Sequence, residues 1–491
     1  MNEPYSPTHL AAGAPAAQPA GESAVASNRS LLGLWQIVFL VISAAAPLTG
    51  MLGAVPPAIS LGNGAGIPGA FVLAGAVLLV FSVGFASMSR HIVRAGAFYA
   101  YITAGFGRPA GMAGALVALL SYTSIQIALY GLFGFFCTVV LGPLVHAAVP
   151  WYVWSFACLV IVQFTGLRGI DLNSRLLGVL MCLELGILLL LSLAIVIHHG
   201  GPDGLTLAPF APRHVFSGHL GIAAMFALAS FIGFEATAIY GKECRDPKVT
   251  VPRATYVSVT LILVFFAFVT WAIVCAYGID NVTEVATKQP GDFWFIQSTK
   301  YLGGAMTTTM SFLLLSSIFA SLLSFHNTIV RYIHALSGEG ILPAVLDRLH
   351  PKYGSPYLAS YLQTLSVAVP LGVFVAANSD PFNIVFSCTS ALGTIGIVML
   401  QALTSFSVVA FFRATKKDTR LWHALLAPVL GGVGLLAIGI VLIGNLDALS
   451  GSDSPVVRSF PWIVLAVALF GVAIAFVLKR SRPDIYARFG Q

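Results

Sequence analysis

The stretch that decides the fold runs from Ala229 to Thr255 and reads ASFIGFEATAIYGKECRDPKVTVPRAT. It begins as an apolar segment fit for the interior of a membrane, and it places the carboxylate of Glu235 two residues after Gly233. A charge in hydrocarbon is costly, and the rare residues that carry one usually have a defined task. We therefore predict a membrane helix broken at FIGFE, followed by a charged turn, GKECRDPKVTVPRAT, that leads into the next span.

Composition excludes a soluble protein. Of the 491 residues, 58% are hydrophobic and 9% are charged, and the mean hydropathy is +0.90. Soluble domains carry roughly 25% charged residues. The net charge of +7 is spread between apolar runs, which argues against a nucleic-acid partner. The six cysteines form no CxxC pair, so we expect no disulfide, metal or cofactor.

Apolar runs of about 20 residues, the length that crosses a bilayer as a helix, recur along the chain. Residues 1–30 are rich in Ala, Pro, Gly and Ser, and we predict that they form a disordered cytoplasmic tail. The remainder predicts an all-α integral membrane protein with twelve transmembrane helices, at 34–59, 68–88, 112–141, 149–167, 174–197, 219–240, 252–278, 305–334, 358–377, 382–411, 424–444 and 461–479.

The distribution of positive charge predicts the orientation, because Lys and Arg favour cytoplasmic loops. With both termini cytoplasmic, the inner segments hold 21 of the 25 Lys and Arg residues. The outer segments hold the other four: Arg213, Lys288, Lys300 and Arg458. We therefore expect a multi-pass protein of the plasma (inner) membrane with both ends in the cytoplasm.

Two predicted spans carry helix-breaking residues at mid-membrane. Span 1 contains Pro47, with Gly50 and Gly53 close behind, and span 6 contains Gly233 beside Glu235. Paired interruptions in two halves of a membrane protein point to a transporter's binding site. Spans 1 and 6 are five apart, as expected if spans 1–5 and 6–10 are two inverted repeats.

A break of this kind suits a zwitterion. The open backbone amides at the N-terminus of a half-helix attract an anion such as a carboxylate. Unwound carbonyls and a buried glutamate attract an ammonium group. An amino acid carries both.

Three segments carry a family likeness. SFIGFEATAIYGKECRDPKVTVPRA resembles the span-6 pattern of the amino acid–polyamine–organocation superfamily of permeases, in which GFE precedes an acidic-Pro loop and a PRA motif. AGAFYAYITAGFGRPAG resembles the family's loop after span 2. RYIHALSGEGILPAVLDRLHPKYGSPY resembles the exit of its span 8. The likeness covers roughly residues 31–411, with spans 11 and 12 similar in hydropathy alone.

The resemblance implies a five-plus-five inverted-repeat fold with broken helices 1 and 6. It divides the chain into a transporter core at 31–411 and a segment at 412–491 that holds helices 11 and 12 and a short cytoplasmic C-terminus. It also implies a substrate site at the two breaks. Carried over by position, the substrate-binding residues are Pro47, Leu48, Thr49, Gly50, Met51, Phe231, Ile232, Gly233, Phe234 and Glu235.

Four further residues are candidates on the neighbouring spans. Glu184 occupies the span-5 position at which proton-coupled relatives carry a lysine, and our hypothesis is that it couples transport to protons. Ser316 and Ser317 on span 8 keep a sodium-coupled alternative open. Gln126 falls where one branch of the family has a pocket-lining Asn. For Glu235, two roles stay open: an acceptor for freed backbone N–H groups, or a partner for the substrate amine or a proton.

We therefore expect a secondary active transporter that moves amino acids by alternating access, either proton-coupled or exchanging, and not an enzyme; we expect no catalytic residues. The alternatives are a polyamine or amine importer of the same fold and a transport-dead nutrient sensor. The expected partners are a small-molecule amino acid or amine, H⁺ (or Na⁺) and the lipid bilayer.

Overall fold

A computed structural model of the chain describes residues 33–92, 97–145, 148–168, 174–239, 244, 246–449 and 455–489. The predicted tail at 1–30 lies outside these residues, as do residues 241–243 and 245 of the predicted turn at 241–255. From Pro247 onward that predicted turn is helical. Within them the chain is helical and contains no β-strand. The principal helices are α1 Leu34–Ala45, α2 Pro47–Ser89, α3 Ala97–Phe106, α4 Arg108–Val145, α5 Trp151–Leu167, α6 Ser174–Ile197, α7 Leu220–Phe231, α8 Ala236–Ile239, α9 Pro247–Tyr277, α10 Val282–Lys288, α11 Phe293–Leu302, α12 Gly304–Gly338, α13 Tyr357–Ala376, α14 Pro381–Thr415, α15 Trp422–Gly444, α16 Phe460–Ser481 and α17 Pro483–Arg488.

Ten helical segments in the described part of the chain are long and apolar enough to cross a membrane. The first of them, α2, bends near Gly62, where φ is −103° and ψ is −120°. It thus joins the second half of predicted span 1 to predicted span 2. Helix α5, the predicted fourth span, is apolar but shorter, and it falls outside these ten.

The break in the first span lies at Ala46, one residue before the predicted proline. Ala46 has φ 43° and ψ 74°, in the left-handed region that non-glycine residues rarely adopt. Pro47 then opens α2, because a proline at the first position of a helix gives up no hydrogen bond. Gly50 and Gly53 lie inside wound turns of α2 rather than at the break. Gly53 instead permits close packing, since a Cβ there would lie 2.7 Å from Leu132 of α4.

The predicted interruption at Gly233 is present. Helix α7 ends at Phe231, Ile232 is extended, and Gly233 has φ 117°, which disfavours a side chain. The chain becomes helical again at Ala236. Both interruptions therefore free backbone groups in the interior of the bundle, which is tolerated only where those groups find partners or face a cavity.

The broken elements lie at the centre of the bundle. In the most apolar part of Leu220–Ala238, and likewise of Pro381–Thr415, 78% of residues are buried, against 17% in α16. Helix α7 packs against α2, α14 and α15. Ala46, at the first interruption, is itself buried. Both interruptions are therefore enclosed by protein, and α16 lies at the periphery.

Glycine allows the peripheral α16 to approach α4 backbone to backbone. A Cβ on Gly471 would lie 2.7 Å from the Cα of Ala113. We expect Gly471→Ala to reduce the free energy of unfolding by about 1–3 kcal/mol, because one of the helices must shift. Gly186 of α6 is the matched control, since open space surrounds its Cβ position. Gly186→Ala should not lower the free energy of unfolding. Equal thermal unfolding midpoints for the two variants in detergent would refute this packing.

Candidate functional site

A cavity of about 70 Å³ lies between the two helix breaks. Ala46 contributes from the first break, Gly50 from the turn of α2 that follows it, and Ile232 from the second break. The cavity is lined by Ala45, Ala46, Thr49, Gly50, Ala54, Ile125, Ala128, Leu129, Phe226, Ala229, Ser230, Ile232, Ser321, Phe325, Phe386 and Ser390. Helices α1, α2, α4, α7, α12 and α14 all reach it, so any ligand held here would touch both halves of the chain.

The wall of this cavity is largely hydrocarbon, with three phenylalanines. Phe226 of α7 and Phe386 of α14 stack with their ring centroids 6.0 Å apart. Phe325 of α12 lies on another side, 6.2 Å from the ring of Tyr122. None of these three rings was predicted as a site residue. Such a wall would accept an apolar side chain better than a charged one.

Four hydroxyl groups supply the polar part of the wall, from Thr49, Ser230, Ser321 and Ser390. Ser230 donates to the carbonyl of Phe226 at 2.9 Å, and Ser321 donates to the carbonyl of Ser317 at 3.0 Å. Because a hydroxyl keeps acceptor lone pairs after it donates, these oxygens can still accept a bond from an ammonium group.

Glu184 lies against the first break, as its predicted role requires. Ser317 Oγ of α12 donates to Glu184 Oε2 at 2.8 Å, and Thr49 Oγ1 donates to Ser317 Oγ at 2.9 Å. The backbone N–H of Leu48 also donates to the Glu184 carboxylate. Glu184 is 5% exposed. A carboxylate of α6 thus caps the N-terminus of α2 and links it to α12.

Glu235 braces the second break. Its Oε2 accepts the backbone N–H of Gly233 at 2.9 Å, and its Oε1 accepts the hydroxyl of Tyr122 at 2.9 Å. The side chain is buried and is not among those lining the cavity. Both oxygens therefore serve groups of the protein, which favours the bracing role over direct contact with a substrate.

Gln126 faces away from the cavity. Its Oε1 accepts from Gln363 Nε2 of α13 at 2.6 Å, and its Nε2 donates to the carbonyl of Leu322 at 3.4 Å. The neighbouring Ile125 and Ala128 line the cavity instead. A substrate contact by Gln126 stays a prediction.

The structure brings three of the predicted substrate residues to the cavity wall: Thr49, Gly50 and Ile232. The other predicted residues surround them. Pro47, Leu48 and Met51 are buried at the start of α2. Ser316 bonds to its own helix at the carbonyl of Leu313, at 2.8 Å.

The predicted aromatic residues at the second break pack against other helices. Phe234 packs against Phe81 and Phe85 of α2, at centroid distances of 6.0 and 6.2 Å. Phe231 meets Phe266 of α9 at 6.1 Å. These rings hold the backbone around Gly233 in place.

The family model described as amino acid permease matches residues 36–486, nearly the whole chain. The chain belongs to the amino acid permease family. This confirms the resemblance to the amino acid–polyamine–organocation superfamily. The family is one of membrane permeases and not of enzymes.

Named relatives of this permease are distant. The branched-chain amino acid permease of Bacillus subtilis (strain 168) is 23% identical over 446 residues, which cover 86% of this chain and 87% of the relative. The branched-chain amino acid permease of Lactococcus lactis subsp. cremoris (strain MG1363) is 27% identical over 269 residues, which cover 53% of this chain and 52% of the relative. The methylthioribose transporter of Bacillus subtilis (strain 168) is 22% identical over 389 residues, which cover 76% of this chain and 78% of the relative. The permease is thus a multi-pass membrane protein of a family that moves amino acids and other organic solutes.

Proposed function

We propose that this permease transports amino acids with apolar side chains by alternating access. The observation that carries the proposal is the cavity between the two helix breaks, with Phe226, Phe325 and Phe386 in its wall. The branched-chain amino acid permeases among the relatives support the same substrate class. The methylthioribose transporter shows that a related sequence is also named for a different solute, so the substrate has to be tested directly.

In this proposal the two breaks hold the two charged ends of the amino acid. The substrate carboxylate lies at the first turn of α2, near Thr49 and Gly50, where the helix terminus carries partial positive charge. The ammonium group lies at the unwound backbone around Ile232 and at the hydroxyls of Ser230 and Ser321. The side chain lies against the phenylalanines.

The same cavity argues against the polyamine or amine importer. A polycation in an apolar cavity needs carboxylates as partners. Glu184 and Glu235 are bonded to other protein groups and do not line the cavity. Among the described residues, no Asp or Glu lines it.

Transport is, in our proposal, coupled to protons at Glu184. A buried carboxyl between α2, α6 and α12 can take up a proton and lose its charge. Its hydrogen bonds from the Leu48 N–H and the Ser317 hydroxyl would then weaken. That change would loosen the contact between the first break and α12. The sodium alternative is less favoured, because the Ser317 hydroxyl already donates to Glu184.

We further propose that the chain crosses the plasma membrane twelve times with both termini in the cytoplasm, and that spans 1–5 and 6–10 are inverted repeats. Under this topology residues 31–411 form the transporter core. Residues 412–491 add helices 11 and 12 and the cytoplasmic C-terminus. The excess of positive charge in the inner loops supports the orientation.

Substrate-induced stabilisation of the purified permease tests the proposal. We expect leucine, isoleucine and valine to raise the thermal unfolding midpoint, since a ligand that binds only the folded state stabilises it. Lysine, putrescine and spermidine serve as the comparison. Stabilisation confined to amines that lack a carboxylate would contradict the proposed substrate class.

A substitution in the wall should change size selectivity. Ala128 of α4 lines the cavity and is buried, so Ala128→Leu would fill part of the space. We expect leucine uptake to fall by at least about 10-fold, because one methylene group of misfit in an apolar pocket already costs about 10–200-fold and the substitution adds three carbons to the wall. Alanine uptake should be largely kept. The control is Ala305→Leu at the exposed start of α12. Equal losses for leucine and alanine would show that residue 128 does not select by size.

A further inference from the structure

A second and larger cavity, of about 600 Å³, lies at the end of the bundle where α2 ends and α9 begins. It is strongly basic. Its wall consists of Arg90, His91, Lys248, Val249, Arg253, Lys417, Asp418 and Arg420. Lys248 and Arg253 belong to the segment PKVTVPRA, residues 247–254 of the opening stretch. The proposed transport function assigns no role to this segment.

The cations of this cavity outnumber its acid. Asp418 is held by Arg420, which donates from Nε to Oδ1 at 3.0 Å and from Nη2 to Oδ2 at 2.7 Å. That hydrogen bonding holds the pKa of Asp418 below its ordinary value. The charge of Asp418 is neutralised by the charge of Arg420. Four other positive side chains line the cavity: Arg90, Lys248, Arg253 and Lys417. Asp246, just before α9, is a further acid described near this end of the bundle.

The imidazole of His91, in the wall, lies among the same positive charges. Burial, and then the charge of Lys417, lower the pKa of His91 below its ordinary value. Arg90 and Lys248 lower it further by smaller amounts, and Asp418 opposes them. The part of this shift that comes from Lys417, Arg90 and Lys248 marks a positive local potential, which favours an anion.

Phosphate is the anion that this arrangement suits. Arg90 and Arg253 offer planar forks that match phosphate oxygens, and Lys248 and Lys417 add point charges. All four side chains belong to exposed residues at the mouth of the cavity. The first turn of α9 starts at Pro247 and adds the partial positive charge of a helix N-terminus.

The neighbouring surface places this cavity at the level of lipid headgroups. Leu421 and Trp422 follow Arg420 directly and are 61% and 46% exposed. An exposed tryptophan beside cations at the start of an apolar helix is typical of the membrane interface. Basic pockets between membrane helices bind the headgroups of anionic lipids. We propose that this cavity binds the phosphate group of an anionic phospholipid, a property separate from the transport proposed above.

Binding of water-soluble lipids to the purified full chain tests this inference. The probe is dihexanoyl phosphatidylglycerol, which is anionic. Dihexanoyl phosphatidylcholine is the zwitterionic comparison, and inorganic phosphate is the comparison without a lipid. We expect phosphatidylglycerol to bind most tightly. The double variant Lys248→Gln with Arg253→Gln should bind it about 30-fold more weakly, since each cation near the surface contributes about fivefold. The double variant Lys288→Gln with Lys300→Gln removes the same charge from exposed sites elsewhere and should bind as wild type does.

Three results of these binding measurements would overturn the inference. One is no preference for phosphatidylglycerol over phosphatidylcholine. Another is an equal loss of binding in the two double variants. The third is inorganic phosphate that binds as tightly as the lipid, which would assign the site to a free phosphate instead. The wild-type protein gives a readout that needs no variant: bound phosphatidylglycerol should raise the pKa of His91, followed by NMR of labelled histidine, and an unchanged titration would also contradict the site.

Discussion

Replacing Glu184 with Gln is expected to abolish proton-driven accumulation of substrate. One proton per substrate, moving down a gradient of one pH unit, can support an accumulation of about tenfold. Glutamine keeps the size of the side chain and an acceptor for Ser317 and Leu48, but it cannot exchange a proton. We therefore expect the variant to lose this tenfold accumulation and the pH dependence of uptake, measured with radiolabelled leucine in proteoliposomes.

Counterflow in the absence of a pH gradient separates coupling from binding. The Glu184→Gln variant should still exchange internal for external leucine, because the cavity does not include residue 184. Cys182→Ser, on an exposed position of the same helix, is the control and should behave as wild type. Gradient-driven uptake that survives in Glu184→Gln with its pH dependence intact would rule out a coupling role for this residue.

Replacing Glu235 with Ala is expected to damage the fold more than the substitutions at Glu184, Ala128 or Gly471. The change would leave the N–H of Gly233 and the hydroxyl of Tyr122 buried without their acceptor. Each such group costs roughly 1–3 kcal/mol, so the free energy of unfolding should fall by about 2–6 kcal/mol. Glu235→Gln, which keeps one carbonyl acceptor, should lose less. Thermal unfolding in detergent measures both.

An exposed acid provides the control for that loss. Glu284 of α10 pairs with Lys288 on the surface, at 2.6 Å, and Glu284→Ala should leave the free energy of unfolding nearly unchanged, because exposed ion pairs contribute little. If Glu235→Ala proved as stable as wild type but failed to bind substrate, the carboxylate would be a substrate contact rather than a brace.

Hydropathy and helix-breaking residues predicted the course of the chain well. Each predicted span overlaps a helix, because 20-residue apolar runs have few other stable conformations in lipid. The breaks were predicted from Pro47 and Gly233, and the structure has them at Ala46 and at Ile232–Gly233. The one-residue difference at the first break follows from proline itself, which opens the new helix instead of standing outside it.

The wall of the cavity was harder to predict. Phe226, Phe325 and Phe386 lie in segments that are apolar on every face, so periodicity carries no signal for which ring points inward. Gln126 was predicted to bind substrate, which stays a prediction; its amide hydrogen-bonds to Gln363 of α13 and is not in the cavity wall. The position of Glu184 beside the first break was easier to predict, because a lone acid in an apolar helix has few places where its oxygens can be satisfied.

Accumulation of radiolabelled leucine in proteoliposomes that contain only the purified permease tests the proposed transport function most directly. With the lumen more alkaline than the medium, we predict concentrative leucine uptake that is competed by isoleucine and valine and lost when the gradient is collapsed. Uptake of putrescine or spermidine with none of leucine, or no uptake of any amino acid by folded protein, would contradict it.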